Sequence, residues 1–206
     1  MRTIEVIAAR DDARNRPAKG RGEMKLVFVS GSSHVGSTNW KLAPAAAELA
    51  KQAFDHVEPV ILDPTQLDLP SFEQSGSHEM PADVARLQSL MTSVDGFFVS
   101  SDEYTGVYSS VLRNMVGWLR LTHAEQQTPF HGAPVALCGT AGRGAGGLRG
   151  QPALQQFFRE LGANVNSQQL ELGSHDGPFD AEGQLVSKIK KQLVEGCLRR
   201  LCVPQE

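Results

Sequence analysis

Between Met24 and Leu49 the chain reads MKLVFVSGSSHVGSTNWKLAPAAAEL, a short apolar run broken by hydroxyls and glycines and followed by an alanine-rich stretch. Ser30, Ser32, Ser33, Ser37 and Thr38 carry small hydroxyl donors, and Gly31 and Gly36 leave the backbone accessible. The pattern is strand, loop, helix N-terminus. Backbone N–H groups and hydroxyls then converge on one spot where the helix end favours negative charge. The chemistry this suits is the binding of a phosphate. An ATP-type loop is excluded, because Ser37-Thr38 stands where G-x-x-x-x-G-K-[ST] needs its lysine. A dinucleotide fingerprint is excluded as well, since G-x-G-x-x-G is absent here. A Ser/Gly-rich segment is equally the ordinary composition of a βα turn. Its weight therefore comes from two later segments.

The first of these runs from Asp95 to Trp118, DGFFVSSDEYTGVYSSVLRNMVGW; the second runs from Pro134 to Arg149, PVALCGTAGRGAGGLR. Each is again an apolar run, a polar or glycine-rich loop and a helical pattern. The elements that must position the three loops alternate along the chain. Strands are expected at Lys25–Ser30, Val57–Leu62, Gly96–Ser100, Ala133–Cys138 and within Val165–Leu172. Helices are expected at Ser37–Phe54, Pro81–Ser93, Ser109–Leu121, Leu148–Leu161 and Glu182–Leu201. Ser109 or Ser110 is the N-cap of the third helix and Gly162 closes the fourth. Asp63–Met80 is a loop rich in Pro, Ser and Gly, long for a compact domain. The runs LVFV, FFV and VALC are continuously apolar, as strands buried on both faces are. Five strands alternating with five helices give an α/β fold, a doubly wound parallel sheet. In the strand order 2-1-3-4-5 the three loops are neighbours at the carboxyl edge, where such sheets bind ligands.

Composition narrows the partners. At 206 residues with a formal net charge of −3, the chain has no basic bias toward nucleic acid. No apolar run approaches the roughly 20 residues of a membrane span. Cys138, Cys197 and Cys202 are odd in number and lack metal spacing, which reads as reduced thiols in a cytoplasm. Cys197 and Cys202, five apart on one helix, are expected to diverge. His123, His131, His78 and His175 lack ligand spacing, so no metal is assigned. Residues 1–23 are charged and aperiodic and read as a disordered or non-native extension before a single domain over residues 24–206.

Together the three segments resemble the NADPH-dependent FMN reductases of the flavodoxin-like superfamily, which include quinone, chromate and azo-dye reductases. That family carries a G-S-x-R-x-x-S-x-N loop, a P-E-Y-N-x-S-x-P-G-x-L-K-N-x-x-D-W segment and a G-x-x-G-G loop. The resemblance implies a flavodoxin-like fold, one FMN, and a homodimer or homotetramer. It places Ser32, His34, Ser37, Thr38 and Asn39 at the phosphate, with Asp102, Glu103, Tyr104 and Thr105 beside the isoalloxazine ring. Thr140, Gly142, Arg143, Gly146 and Gly147 form the third loop near the pyrimidine end of that ring. NADPH, or NADH, is the implied co-substrate and a quinone, azo dye, metal oxyanion or free flavin the acceptor. No catalytic side chain is named, because the flavin carries the chemistry.

The departures from that pattern bear on affinity. His34 replaces the loop arginine, exchanging a permanent bidentate donor for a residue type that titrates in the physiological range. Asp102 and Thr105 replace proline and asparagine, Arg113 replaces lysine, Ser109-Ser110 replace proline-glycine, and Gly117 replaces aspartate. Asp102 adds negative charge where an anionic cofactor gathers. The alternative function is thus a flavodoxin-like binding or regulatory protein with weak or lost FMN binding. Several residues keep two readings. His34 caps the phosphate or is solvated. Tyr104 borders the ring or is an ordinary surface aromatic. Glu103 acts through its backbone or its carboxylate. Arg143 and Arg149 meet a 2′-phosphate or water. Cys138 is a small core residue or a reactive thiol. Val111, Leu112, Met115, Val116, Trp118 and Leu119 make the third helix wider in apolar surface than one buried stripe needs, which argues for a partner helix.

Overall fold

Side chains alternate across a strand, so a continuous apolar run is buried only if both faces of its sheet are covered. That is the arrangement here. In a computed structural model describing residues 23–72, 80–122, 128–140, 150–166, 170–171 and 177–202, the strands β1 (Met24–Gly31), β2 (Val57–Leu62), β3 (Gly96–Tyr104) and β5 (Pro134–Thr140) lie parallel. With β6 (Asn164–Val165) at the far edge, the sheet order is β2-β1-β3-β5-β6, which is the expected 2-1-3-4-5 order of the main strands. The expected fifth strand is two short pieces, β6 (Asn164–Val165) and β7 (Leu170–Glu171), both parallel to β5.

The helices α1 (Thr38–Ala53) and α5 (Lys188–Cys202) cover one face, where Leu26, Phe28, Phe98, Ala136 and Cys138 meet Ala43, Ala46, Ala50, Val194 and Leu198. The alanines let α1 approach the sheet closely, and it runs unbroken through Pro44. On the other face Val27, Val29, Phe97, Val99, Val135 and Leu137 meet side chains of α2 (Ala82–Met91), α3 (Ser110–Thr122) and α4 (Gly150–Glu160). Ser109 is the residue that caps α3, accepting from Leu112 N at 3.3 Å. Gly162 ends α4, where Ala163 N returns to Phe158 O at 3.0 Å.

Two expectations are corrected. The last helix begins at Lys188, six residues after Glu182, because the Asp180 carboxylate accepts from Glu182 N and Gln184 N and Phe179 bridges Leu185. Local side-chain hydrogen bonding of this kind competes with helix. Cys197 and Cys202 are both buried in one core cluster, and burial pushes each thiol up to about 11. Second, most of the apolar width of α3 is covered within the chain: Leu112, Met115, Val116, Trp118 and Leu119 are buried, and Val111 is half-buried. The cover comes from the loop after β2. Asn114 Nδ2 donates to Leu69 O and Pro70 O, its Oδ1 accepts from Phe72 N at 2.6 Å, and Trp118 Nε1 donates to Pro70 O at 2.8 Å. Residues 1–22 lie outside the described residues.

Candidate functional site

Three of the parallel strands end side by side, with Gly31 opposite Ser101 and Asp102 opposite Thr140. The first loop is built on its own hydroxyls. Ser32 Oγ accepts from His34 N at 3.1 Å, Ser37 Oγ accepts from Trp40 N at 3.1 Å, and the two oxygens lie 2.8 Å apart. Ser37 is thereby the N-cap of α1. One of the two hydroxyls donates to the other, and Ser32 Oγ also donates toward His34 O at 3.4 Å. His34 uses its backbone to shape the turn, its carbonyl accepting from Ser37 N at 3.1 Å, while its side chain is exposed. Behind the loop, Trp40 Nε1 donates to Asp63 Oδ2 at 2.8 Å, and Asp63 Oδ1 also accepts from Thr65.

Residues 100 and 102 of β3 project from the same face, and both reach Asn39. Ser100 Oγ donates to Asn39 O at 2.8 Å, and Asn39 Nδ2 donates to Asp102 Oδ1 at 2.6 Å. The amide expected at the phosphate is therefore engaged by a carboxylate from the next strand.

The second loop is a hairpin. Strand β3 continues past Ser100 to Tyr104 and pairs antiparallel with β4 (Val107–Tyr108), Glu103 opposite Tyr108 and Tyr104 opposite Val107. The turn places Thr105 at φ 52° and Gly106 at φ 84°. Thr105 is the one non-glycine residue with positive φ among the described residues, a strained position for a β-branched side chain. Tyr104 is 53% exposed, with its ring free to border a flat ligand. Tyr108 stacks on Phe157 at 4.5 Å, and its burial raises the phenol pKa, partly offset by the Arg113 charge. The Glu103 carboxylate accepts from Gly150 N at 3.3 Å, so its side chain caps α4 as well as its backbone forming the hairpin.

From the third loop, Gly142, Arg143, Gly146, Gly147 and Arg149 lie outside the described residues, as do His78, His123 and His175; of Thr140, the backbone alone is described. Sequence reasoning missed Gln151. It is 1% exposed in the first turn of α4, neither amide atom has a hydrogen-bond partner among the described residues, and its Nε2 would lie 2.9 Å from a Cβ at Gly139. A glutamine in a first helical turn reads as solvated, so no sequence signal marks it. Cys138 is fully buried in mid-strand, as a core residue. Among the described residues, no group of three or more His, Cys, Asp or Glu could hold a metal ion, and no helix is long and apolar enough to cross a membrane.

A family model described as NADPH-dependent FMN reductase matches residues 24–176. An NAD(P)H-dependent FMN reductase of Pseudomonas aeruginosa is 25% identical over 87% of this chain and 94% of its own. An NADPH azoreductase of a Bacillus species is 26% identical over 86% and 90%. A subunit of the NADH:(hydroxy)cinnamate reductase of Vibrio ruber is 27% identical, the match spanning 60% of each chain. Among solved structures, the flavoenzyme NAD(P)H:(acceptor) oxidoreductase of Paracoccus denitrificans superposes with a TM-score of 0.72 at 22% identity, covering 87% of this chain and 97% of that one. A flavodoxin of Pseudomonas aeruginosa superposes at 0.55 and 20% identity, over 87% and 97%.

Proposed function

The chain belongs to the NADPH-dependent FMN reductase family, and on that premise we propose that it passes two electrons from NADPH, or NADH, to a small, flat, oxidised acceptor. It is an oxidoreductase with FMN as cofactor and NAD(P)H as co-substrate. The observation that carries the reading is the Ser32–Ser37 hydroxyl pair at the N-terminus of α1, beside the β3–β4 hairpin on the carboxyl edge of the sheet. The residues present fit FMN. The loop holds two hydroxyls at the helix end, the side of Gly36 is open, and Tyr104 presents an exposed ring along the hairpin. When bound, FMN supplies the redox chemistry, taking hydride from the reduced nicotinamide and returning electrons to the acceptor.

What the chain contributes is binding and orientation. The Ser32–Asn39 loop would hold the terminal phosphate through hydroxyls, N–H groups and the helix end. The hairpin would offer Glu103–Thr105 backbone to the ring edge, with Glu103 fixing the start of α4 beside it. No protein acid or base is needed, and none is assigned. The acceptor class includes quinones, azo dyes, metal oxyanions and free flavin, and the relatives named for FMN and azo reduction support it. A cytoplasmic setting agrees with NADPH as donor and with three thiols, none in a disulfide.

The test is direct. Full-length protein loaded with flavin and given NADPH is expected to bleach an azo dye or reduce a quinone, and the extracted flavin is expected to be FMN by chromatography. Recovery of FAD alone, or failure to oxidise NAD(P)H when loaded, overturns the reading.

We also retain a homodimer or homotetramer as a proposal. With most of the α3 apolar face already covered, the support is an open groove of about 580 Å3 along α3, where Phe72, Val116, Phe157 and Leu161 lie between Arg113 and Arg120. Light scattering at micromolar concentration is expected to give at least a dimer mass; a monomer mass rejects it.

A further inference from the structure

The helix α1 has no acidic residue in its first turn, yet a carboxylate sits there. It comes from β3. Asp102 Oδ1 is 2.6 Å from Nδ2 of Asn39, the second residue of the helix, and Asn39 is fully buried. The neighbouring Ser100 fixes the same residue through its backbone carbonyl, so the carboxylate is held in place and is not free to swing away. Among the described residues no cation forms an ion pair with Asp102. The remaining acid of the hairpin, Glu103, is turned to Gly150 N.

We propose that Asp102 is a specificity-determining residue that sets how strongly this site prefers a phosphorylated flavin over an unphosphorylated one. The proposal rests on reading the Ser32–Asn39 loop as the phosphate site. An anion at the positive end of a helix is favourable, and Asp102 already supplies one. A second anion, the dianionic phosphate of FMN, must share that end with the Asp102 carboxylate, which already takes a hydrogen bond from the Asn39 amide. It would rely on loop N–H groups and the helix end. Riboflavin has the same ring and ribityl chain and no phosphate, so the charge of Asp102 acts on its binding far less than on that of FMN. A proline at this position would free the Asn39 amide and remove the charge.

Two variants separate charge from structure. Asp102→Asn keeps an oxygen that accepts from Asn39 Nδ2 and removes the charge. Asp102→Ala removes both. FMN and riboflavin are titrated into the flavin-free, full-length wild type and both variants, with quenching of flavin fluorescence as the readout. Asp102→Asn is expected to tighten FMN about tenfold, equivalent to about 1.4 kcal/mol, with riboflavin within twofold of wild type. The gain should shrink as salt is raised. Asp102→Ala is expected to show the same rise in the FMN-to-riboflavin ratio, even where loss of the tether weakens both ligands. A ratio unchanged in both variants overturns the role of Asp102 while leaving the site intact. A wild type that binds neither flavin overturns the site reading and this inference with it.

Discussion

Replacing Gly31 by alanine is expected to destabilise the protein by about 3 kcal/mol or more and to abolish flavin binding. A Cβ at this position would sit 2.5 Å from Ser100 O and 3.3 Å from Ser101 Cα, both backbone atoms. Side chains can often rotate away from such a clash, but these atoms cannot. Ser100 and Ser101 are paired with Ser30 and Gly31 in the β1–β3 ladder, and the Ser100 hydroxyl is tied to Asn39 O and Val29 O. The strands must part at their carboxyl ends, and with them go Ser32 and the pairing of its hydroxyl with Ser37. Urea denaturation would show a lower midpoint with an unchanged slope. A variant within 1 kcal/mol of wild type, or one that still binds FMN normally, is incompatible with strands this closely apposed.

The same glycine shows how much of the molecule is legible in the chain. The strands were readable because double burial leaves continuous apolar runs, and Val57–Leu62 matches residue for residue. Gly31 and the hydroxyls around it mark the loop for the same local reason. The bond between Asn39 and Asp102 was not readable. Each residue stands out alone, but their meeting depends on the register of β3 against β1 across 63 residues. The hairpin after Ser100 was hidden because Asp102–Thr105 is polar, and polar residues at a sheet edge read as loop. The false start of the last helix has the opposite cause. Glu182–Ser187 has acceptable helical composition, and the Asp180 side chain overrides it locally.

The change from aspartate to glycine at 117, a departure from the family pattern in sequence, has a spatial explanation. A Cβ at Gly117 would lie 2.8 Å from Cγ and Cδ1 of Phe72 and 3.2 Å from its Cβ. The loop before α2 thus uses the space that a side chain at 117 would fill. Phe72 is held there by its N–H, which donates to Asn114 Oδ1 at 2.6 Å, and by its ring, which packs edge-on against Trp118 at 6.0 Å. Gly117→Asp, which restores the family residue, is accordingly expected to cost about 2–4 kcal/mol in this chain. Phe72→Ala alone is expected to cost less, since Phe72 is only half-buried and lines open grooves on both sides. Combining the two should be cheaper than their sum by at least about 1 kcal/mol, because the alanine removes the atoms that the aspartate strikes. Urea melts of the wild type, both single variants and the double variant measure that coupling. Additive losses, within about 0.5 kcal/mol, would mean that Phe72 does not occupy this space and that the glycine has some other cause.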